Sequence, residues 1–289
     1  MQNPKNIFVL PFDHRASFVK NMFGFEEPLN EYQIAKVKEY KNIIFSAIDK
    51  AIEMGIPKES SAVLVDEIYG LEILKEAKAK GLITMQTVEK SGKEEFEFEF
   101  GVEFGAHLLA VGPTYAKALV RYDIKKDNSL QLGRLKELSD FVHANGIGLL
   151  IEPLMQSHGE QQHFDHIERY EDLITMIREM QYAGIEADVW KIEGLYDEYQ
   201  YAQAVAQAQN EESRKNVAII ILGRNETKEH VMDWIGEGRS VEGIVGFAVG
   251  RTIFWEPLVA LNAGKISKEE AIQKIAEDYF EYYKHFIAA

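Results

Sequence analysis

The sequence predicts a single (β/α)₈ barrel, a TIM barrel, occupying residues 1–289 as one domain. Three observations carry this. Eight short runs are rich in β-branched and apolar residues, longer amphipathic stretches separate them, and no Pro/Gly/Ser-rich linker interrupts the series. Eight such units favour a closed barrel over a doubly wound sheet. The 289 residues suit one barrel, which typically takes about 250.

The strands are read, in order, at residues 7–12, 62–66, 82–88, 118–122, 147–152, 188–192, 217–222 and 243–249. Between the first two, Asn30 offers an N-cap before Glu31. Ile34, Val37, Ile44, Ile48 and Ile52 then recur near helical spacing up to Gly55. Similar periodicity marks residues 130–144, 168–182 and 268–286. Two connections are longer than a barrel needs, 15–29 and 89–115, and both lie on the face where barrels do chemistry. In the second, residues 93–100 carry a Glu/Phe alternation, which suits an edge hairpin, a subunit contact, or, the reading preferred, a solvated loop folding its aromatic side back on the barrel.

Composition narrows the chemistry. With no cysteine, disulfides, thiolate zinc sites and cysteine nucleophiles are excluded. The formal charge of -15 disfavours nucleic acid or an anionic membrane as partner, so an anionic substrate needs a local basic pocket. The mean hydropathy is -0.24, no apolar run reaches bilayer-spanning length, and the first residues lack a secretory h-region, so a cytoplasmic protein is expected. Whether it forms a homo-oligomer is not legible. Trp190, Trp234 and Trp255 read as helix–strand packing. Tyr279, Phe280, Tyr282, Tyr283 and Phe286 read as a helix face that closes the barrel or meets another subunit.

Barrel chemistry sits at the C-terminal ends of strands, so charged residues that end apolar runs are the candidates: Asp13, Asp66, Arg121, Glu152 and Lys191. Side chains alternate along a strand. If Lys191 points inward, Val189 and Glu193 share its side, and the same parity turns Leu150 and Gly148 inward with Glu152. Lys191 and Glu152 could close the barrel top as an ion pair or do chemistry there. A lysine attacks a carbonyl only as the neutral amine, which costs ~4 kcal/mol near neutral pH. After strands seven and eight come two Gly-Arg pairs, Gly223-Arg224 and Gly250-Arg251. Barrels commonly bind phosphate there: glycine lets backbone N–H groups approach, and arginine adds a bidentate donor.

These residues lie in longer strings: Phe12-Asp13-His14-Arg15, Val88-Glu89-Lys90-Ser91-Gly92, Val120-Arg121-Tyr122, Asp188-Val189-Trp190-Lys191-Ile192-Glu193-Gly194-Leu195 and Gly246-Phe247-Ala248-Val249-Gly250-Arg251-Thr252. Together they resemble the 2-deoxy-5-keto-D-gluconate 6-phosphate aldolase domain of bacterial inositol catabolism, across essentially the whole chain. The resemblance implies a class I barrel aldolase with no cofactor beyond an imine on the sixth-strand lysine, here Lys191. Glu152 and Asp13 match the fifth-strand carboxylate and first-strand aspartate, and the Gly-Arg pairs match the phosphate-binding ends. Asp123 stands where asparagine is expected, and Pro153 rather than leucine follows Glu152.

The expected reaction is cleavage of a phosphorylated keto sugar to dihydroxyacetone phosphate and malonate semialdehyde. Lys191 is the nucleophile, Glu152 moves protons, and Asp13 orients hydroxyls. Gly223, Arg224, Gly250 and Arg251 hold the phosphate. Arg121 and Asp66 belong to the substrate site, and Lys90 is both a neighbour and the rival nucleophile. A metal-dependent aldolase or isomerase is the alternative, built on His158, His163 and His166 with Glu160 and Asp165. A catalytically silent sugar-phosphate-binding module is another.

Overall fold

The computed structural model describes residues 5–157, 167–224 and 226–288. Eight parallel strands close into a barrel in sequence order: β1 (Ile7–Pro11), β2 (Ser61–Val65), β3 (Ile83–Thr87), β4 (Tyr115–Tyr122), β5 (Gly148–Met155), β6 (Val189–Glu193), β7 (Ala218–Leu222) and β8 (Ile244–Ala248). β8 pairs back to β1 with Val9 opposite Ala248. Each expected strand is present, and β4 begins three residues before the run read from sequence.

Alternation sorts the strand residues into two apolar sets. Ile7, Val9, Leu64, Met85, Leu150, Val189 and Ile220 fill the interior, while Trp190 and Ile192 pack outward against helices, as the parity argument expects. Tyr115 lies inside, using space left by Gly148, where a Cβ would come within 2.5 Å of its ring. Gly246 lets β8 approach β1, because a Cβ there would lie 1.8 Å from the Ile7 carbonyl oxygen.

The outer layer comprises α1 (Ala16–Phe23), α2 (Glu31–Met54), α3 (Glu67–Ala79), α4 (Phe104–Val111), α5 (Ser129–Ala144), α6 (Arg169–Tyr182), α7 (Glu198–Ala208), α8 (Lys228–Gly238), α9 (Arg251–Asn262) and α10 (Lys268–Ile287). Asn30 caps α2 through a reciprocal box with Gln33, and Ser267 does the same for α10 with Glu270. On α10, Tyr279 donates to the Phe8 carbonyl at 2.7 Å and Tyr283 meets Phe8 edge-on, so the terminal aromatic face covers the outside of β1. No described helix is long and apolar enough to cross a membrane.

Both long connections contain helix that the sequence reading leaves as loop, α1 in the first and α4 in the second. Neither helix has a side-chain N-cap, the signal that announces α2. The second connection also folds into a hairpin: Lys90 N–H donates to the Glu97 carbonyl at 2.8 Å and Glu99 N–H to the Val88 carbonyl at 2.9 Å. Its phenylalanines turn inward, with Phe98 stacked on Phe104 and Phe100 on His107. The hairpin and the folded-back aromatic side are therefore the same structure.

Candidate active site

Strand parity brings three interior residues up to the C-terminal mouth: Lys117 from β4, Glu152 from β5 and Lys191 from β6, at 1%, 7% and 5% exposure. Lys191 Nζ lies 2.6 Å from Glu152 Oε1. Glu152 Oε2 lies 2.8 Å from Lys117 Nζ, which also meets Asp13 Oδ2 and Glu89 Oε1, each at 2.9 Å. A lysine ammonium has three N–H donors, and Lys117 directs them at three carboxylates. Among the described residues no group of three His, Asp or Glu side chains is arranged to hold a metal ion. Around Lys117 an ammonium takes the place a cation would need.

The charges in this cluster settle differently. Burial opposes the charged form of Lys117, yet Asp13, Glu152 and Glu89 outweigh it and hold the ammonium well above the ordinary lysine range. Burial would likewise raise Asp13 and Glu152, but Lys117 heads the charges that keep both below the usual carboxylate range. Glu89 goes the other way: burial exceeds the pull of Lys117 and Arg15 and moves it upward. His14, beside Asp13, is pushed down to about 4, first by burial and then by Arg251 and Lys191, against Asp13.

Lys117 and Glu89 are the site residues that the sequence reading missed. The signal for Lys117 was its spacing: it lies four residues before Arg121 on one strand face, a lone lysine between two alanines. Glu89 sits just past the end of β3, where the chain was read as loop.

Two lobes of the mouth, as the described residues outline it, share His14, Ser17, Leu119, Arg121, Glu152 and Lys191. One, of about 170 Å³, runs under the hairpin past Asp13, Glu89 and Lys90, which is exposed. The other, of about 260 Å³, reaches Gly223, Arg224, Gly250 and Arg251. Lys191 stands where they join. Gly250 leads into α9 hard against β1, since a Cβ there would fall 2.3 Å from the Pro11 carbonyl oxygen. Only a glycine fits that approach.

The two Gly-Arg pairs are not equivalent. Arg224, with φ 38°, forms an ion pair with buried Glu193, the residue that parity placed on the Lys191 side. Among the described residues no carboxylate pairs with Arg251 or Arg121, and both line the lobe. Of the candidate anion-binding arginines, Arg251 is thus better placed than Arg224.

Asp66 departs from expectation. It lines neither lobe. One oxygen caps α3 by accepting from Tyr69 N–H at 2.8 Å, and the other pairs with Lys41, which is fully buried. Lys41 Nζ also donates to the Phe12 carbonyl at 2.7 Å and the His14 carbonyl at 3.2 Å. The Lys41–Asp66 pair therefore clamps the backbone on both sides of Asp13 instead of touching the cavity. Asp66 ends an apolar strand, but it does so by starting a helix. His158, His163 and His166, with Glu160 and Asp165, lie outside the described residues.

Fold and site define a parallel (β/α)₈ barrel with a two-lysine, three-carboxylate centre at its C-terminal mouth. The chain belongs to the family described as "Uncharacterized protein conserved in bacteria (DUF2090)", whose model matches residues 1–288. No curated protein matches it in sequence. Among solved structures it is similar to fructose-bisphosphate aldolase from Plasmodium falciparum, determined in complex with TRAP and a small-molecule inhibitor. That match has 12% identity and a TM-score of 0.62, covering 96% of this chain and 89% of the other. It is also similar to Cgl0159 from Corynebacterium glutamicum, at 13% identity and a TM-score of 0.58, covering 95% and 85%. At these identities the likeness establishes the shared barrel.

Proposed function

We propose that the protein is a Schiff-base aldolase acting on a phosphorylated keto sugar, with 2-deoxy-5-keto-D-gluconate 6-phosphate the substrate favoured by the sequence resemblance. The observation that carries this is Lys191, buried at the junction of two lobes and 2.6 Å from Glu152. The barrel shared with a fructose-bisphosphate aldolase is consistent with it.

The two lysines divide the work by their surroundings. Lys117 faces three carboxylates that favour its ammonium form, so it stays a cation and is a poor nucleophile. Among the described residues Lys191 has one carboxylate partner, Glu152, able to take its proton. The neutral amine attacks the ketone and the carbinolamine loses water. The iminium then accepts the electrons of the bond between the α and β carbons. Glu152, held as a carboxylate by Lys117 and Lys191, is suited to remove the β-hydroxyl proton. Asp13, fixed against Lys117, is placed to orient a hydroxyl. Arg251 and the backbone at Gly223 and Gly250 form the phosphate end, while Arg121 can meet a second anionic group. The products from the favoured substrate are dihydroxyacetone phosphate and malonate semialdehyde.

Borohydride reduction in the presence of dihydroxyacetone phosphate, followed by peptide mass mapping, tests the assignment. The expected label is on Lys191. A label on Lys90 or Lys117, or no label, rejects it.

A further inference from the structure

Three carboxylates surround Lys117, and they differ in what their oxygens can still accept. Glu152 has both oxygens committed, Oε1 to Lys191 at 2.6 Å and Oε2 to Lys117 at 2.8 Å, so a proton there displaces an ion pair. Asp13 is bound to Lys117 at 2.9 Å. Glu89 gives Oε1 to Lys117 at 2.9 Å, whereas its Oε2 is buried and accepts no hydrogen bond from any described residue. A buried carboxylate oxygen without a donor is costly, and protonating the carboxyl removes the charge that makes it so.

The local charge count agrees. Asp13, Glu89, Glu99 and Glu152 supply four carboxylates, while Lys117, Lys191 and Arg15 supply three cations linked to them. Once Lys191 has given up its proton, before substrate arrives, these four carboxylates face two cations, Lys117 and Arg15, and one of the four must carry that proton.

We propose that Glu89 is the carboxyl that stores the proton Lys191 sheds on becoming a nucleophile and returns it to the water that leaves during imine formation. The inference rests on the Schiff-base reading. Lys191 gives a proton to Glu152 Oε1. Glu152 turns its protonated oxygen towards Lys117, which passes one of its own protons to Glu89 Oε1 and takes the one from Glu152, ending as the ammonium it was. The free amine forms the carbon–nitrogen bond of a neutral carbinolamine. The carbon–oxygen bond then breaks, the stored proton travels back to complete a water molecule, and the nitrogen lone pair makes the iminium. Protons and charge balance, with no outside acid. The groups facing Glu89 are Lys117 from β4, Arg15 and Asp13 from the segment after β1, and Glu99 across the hairpin through Arg15. Their net effect with burial is upward, in the direction a proton store requires. Glu89 acts through Lys117 and Glu152, so it is a relay and positioning residue.

Infrared spectroscopy of the full-length protein in the absence of substrate is the direct test. A protonated-carboxyl band that titrates above the range of free glutamic acid, about 4.3, is expected in the wild type and absent from Glu89→Gln. A wild type without that band, or a band that survives in Glu89→Gln, overturns the proposal. Single-turnover borohydride trapping with dihydroxyacetone phosphate should be slowed by ~10²-fold in Glu89→Gln and partly restored in Glu89→Asp. Trapping at the wild-type rate in Glu89→Gln also overturns it. If the wild type itself traps no imine, the Schiff-base reading fails, and the infrared band still decides separately where the proton sits.

Discussion

Lys117 and Lys191 stand on interior strand positions either side of β5 and share one carboxylate, Glu152, whose two oxygens lie 2.8 and 2.6 Å from their amines. One lysine is locked into its charged form by two further carboxylates, and the other, among the described residues, pairs with Glu152 alone. On the proposed function, this asymmetry separates an electrostatic role from a nucleophilic one.

Replacing Lys191 by methionine keeps the aliphatic stem and removes the amine. Turnover of the ketose phosphate should fall by at least ~10³-fold, since loss of a covalent nucleophile removes the whole route rather than one contact. A coupled dihydroxyacetone phosphate assay measures it, and retention of activity within tenfold would end the imine mechanism.

Lys117→Met leaves Asp13, Glu89 and Glu152 buried around an apolar tip. Removing one side of a buried ion network costs about 3–5 kcal/mol. Urea unfolding should register a loss of that order, together with loss of activity. An unchanged midpoint would mean the cluster is more hydrated than its burial indicates.

Arg251→Ala should raise KM for the phosphorylated substrate by roughly 10–100-fold with a smaller change in kcat, because a charged hydrogen bond contributes about 1.5–3 kcal/mol. Arg224→Ala should do less, since Glu193 already engages that guanidinium. Steady-state kinetics of the two variants compare them, and the reverse ranking would place the phosphate beside β7 rather than α9.

Acid should weaken the fold in a defined window. His14 sits at about 4 in the folded chain, below its ordinary 6.5, so the unfolded chain binds the proton more readily and stability declines as pH drops from about 6.5 towards 4. Asp13 and Glu152 are held low, and their contribution is lost further down as they become protonated. Glu89, held high, opposes this trend in part. Thermal melts of His14→Gln should show a flatter pH dependence between 6.5 and 4 than the wild type. An identical slope would assign the acid sensitivity elsewhere.

Lys41→Met should destabilise more than Asp66→Asn. Without Lys41 a buried carboxylate loses its counter-ion, and the carbonyls of Phe12 and His14 lose their donor; an asparagine amide oxygen in place of the Asp66 carboxylate still caps α3. Denaturant midpoints decide the order. Equal midpoints would mean that the Lys41 contacts to the two carbonyls add nothing beyond its pairing with Asp66.

The barrel was legible because strands buried on both faces are written as near-continuous apolar runs, as most of the eight are, with β3 and its Thr84, Gln86 and Thr87 the most polar. Lys191 and Glu152 were legible because each interrupts such a run near its C-terminal end. Lys117 was not: β4 starts at Tyr115, so this lysine falls inside the strand, before the stretch that was read. Asp66 was misplaced because charge at a strand end does not say whether the residue points into the mouth or caps the next helix. The inequality of Arg224 and Arg251 depends on Glu193, a neighbour from another strand that no local motif reveals.

Arg15 follows Asp13 by two residues and reaches across to the β3 hairpin, donating to the Glu89 carbonyl at 2.7 Å and pairing with Glu99. The segment bearing Asp13 and the roof over the small lobe are thereby riveted together. Anyone regrafting that roof to widen the lobe beneath it must transplant an acidic anchor along with it, or Asp13 will drift as the new roof settles.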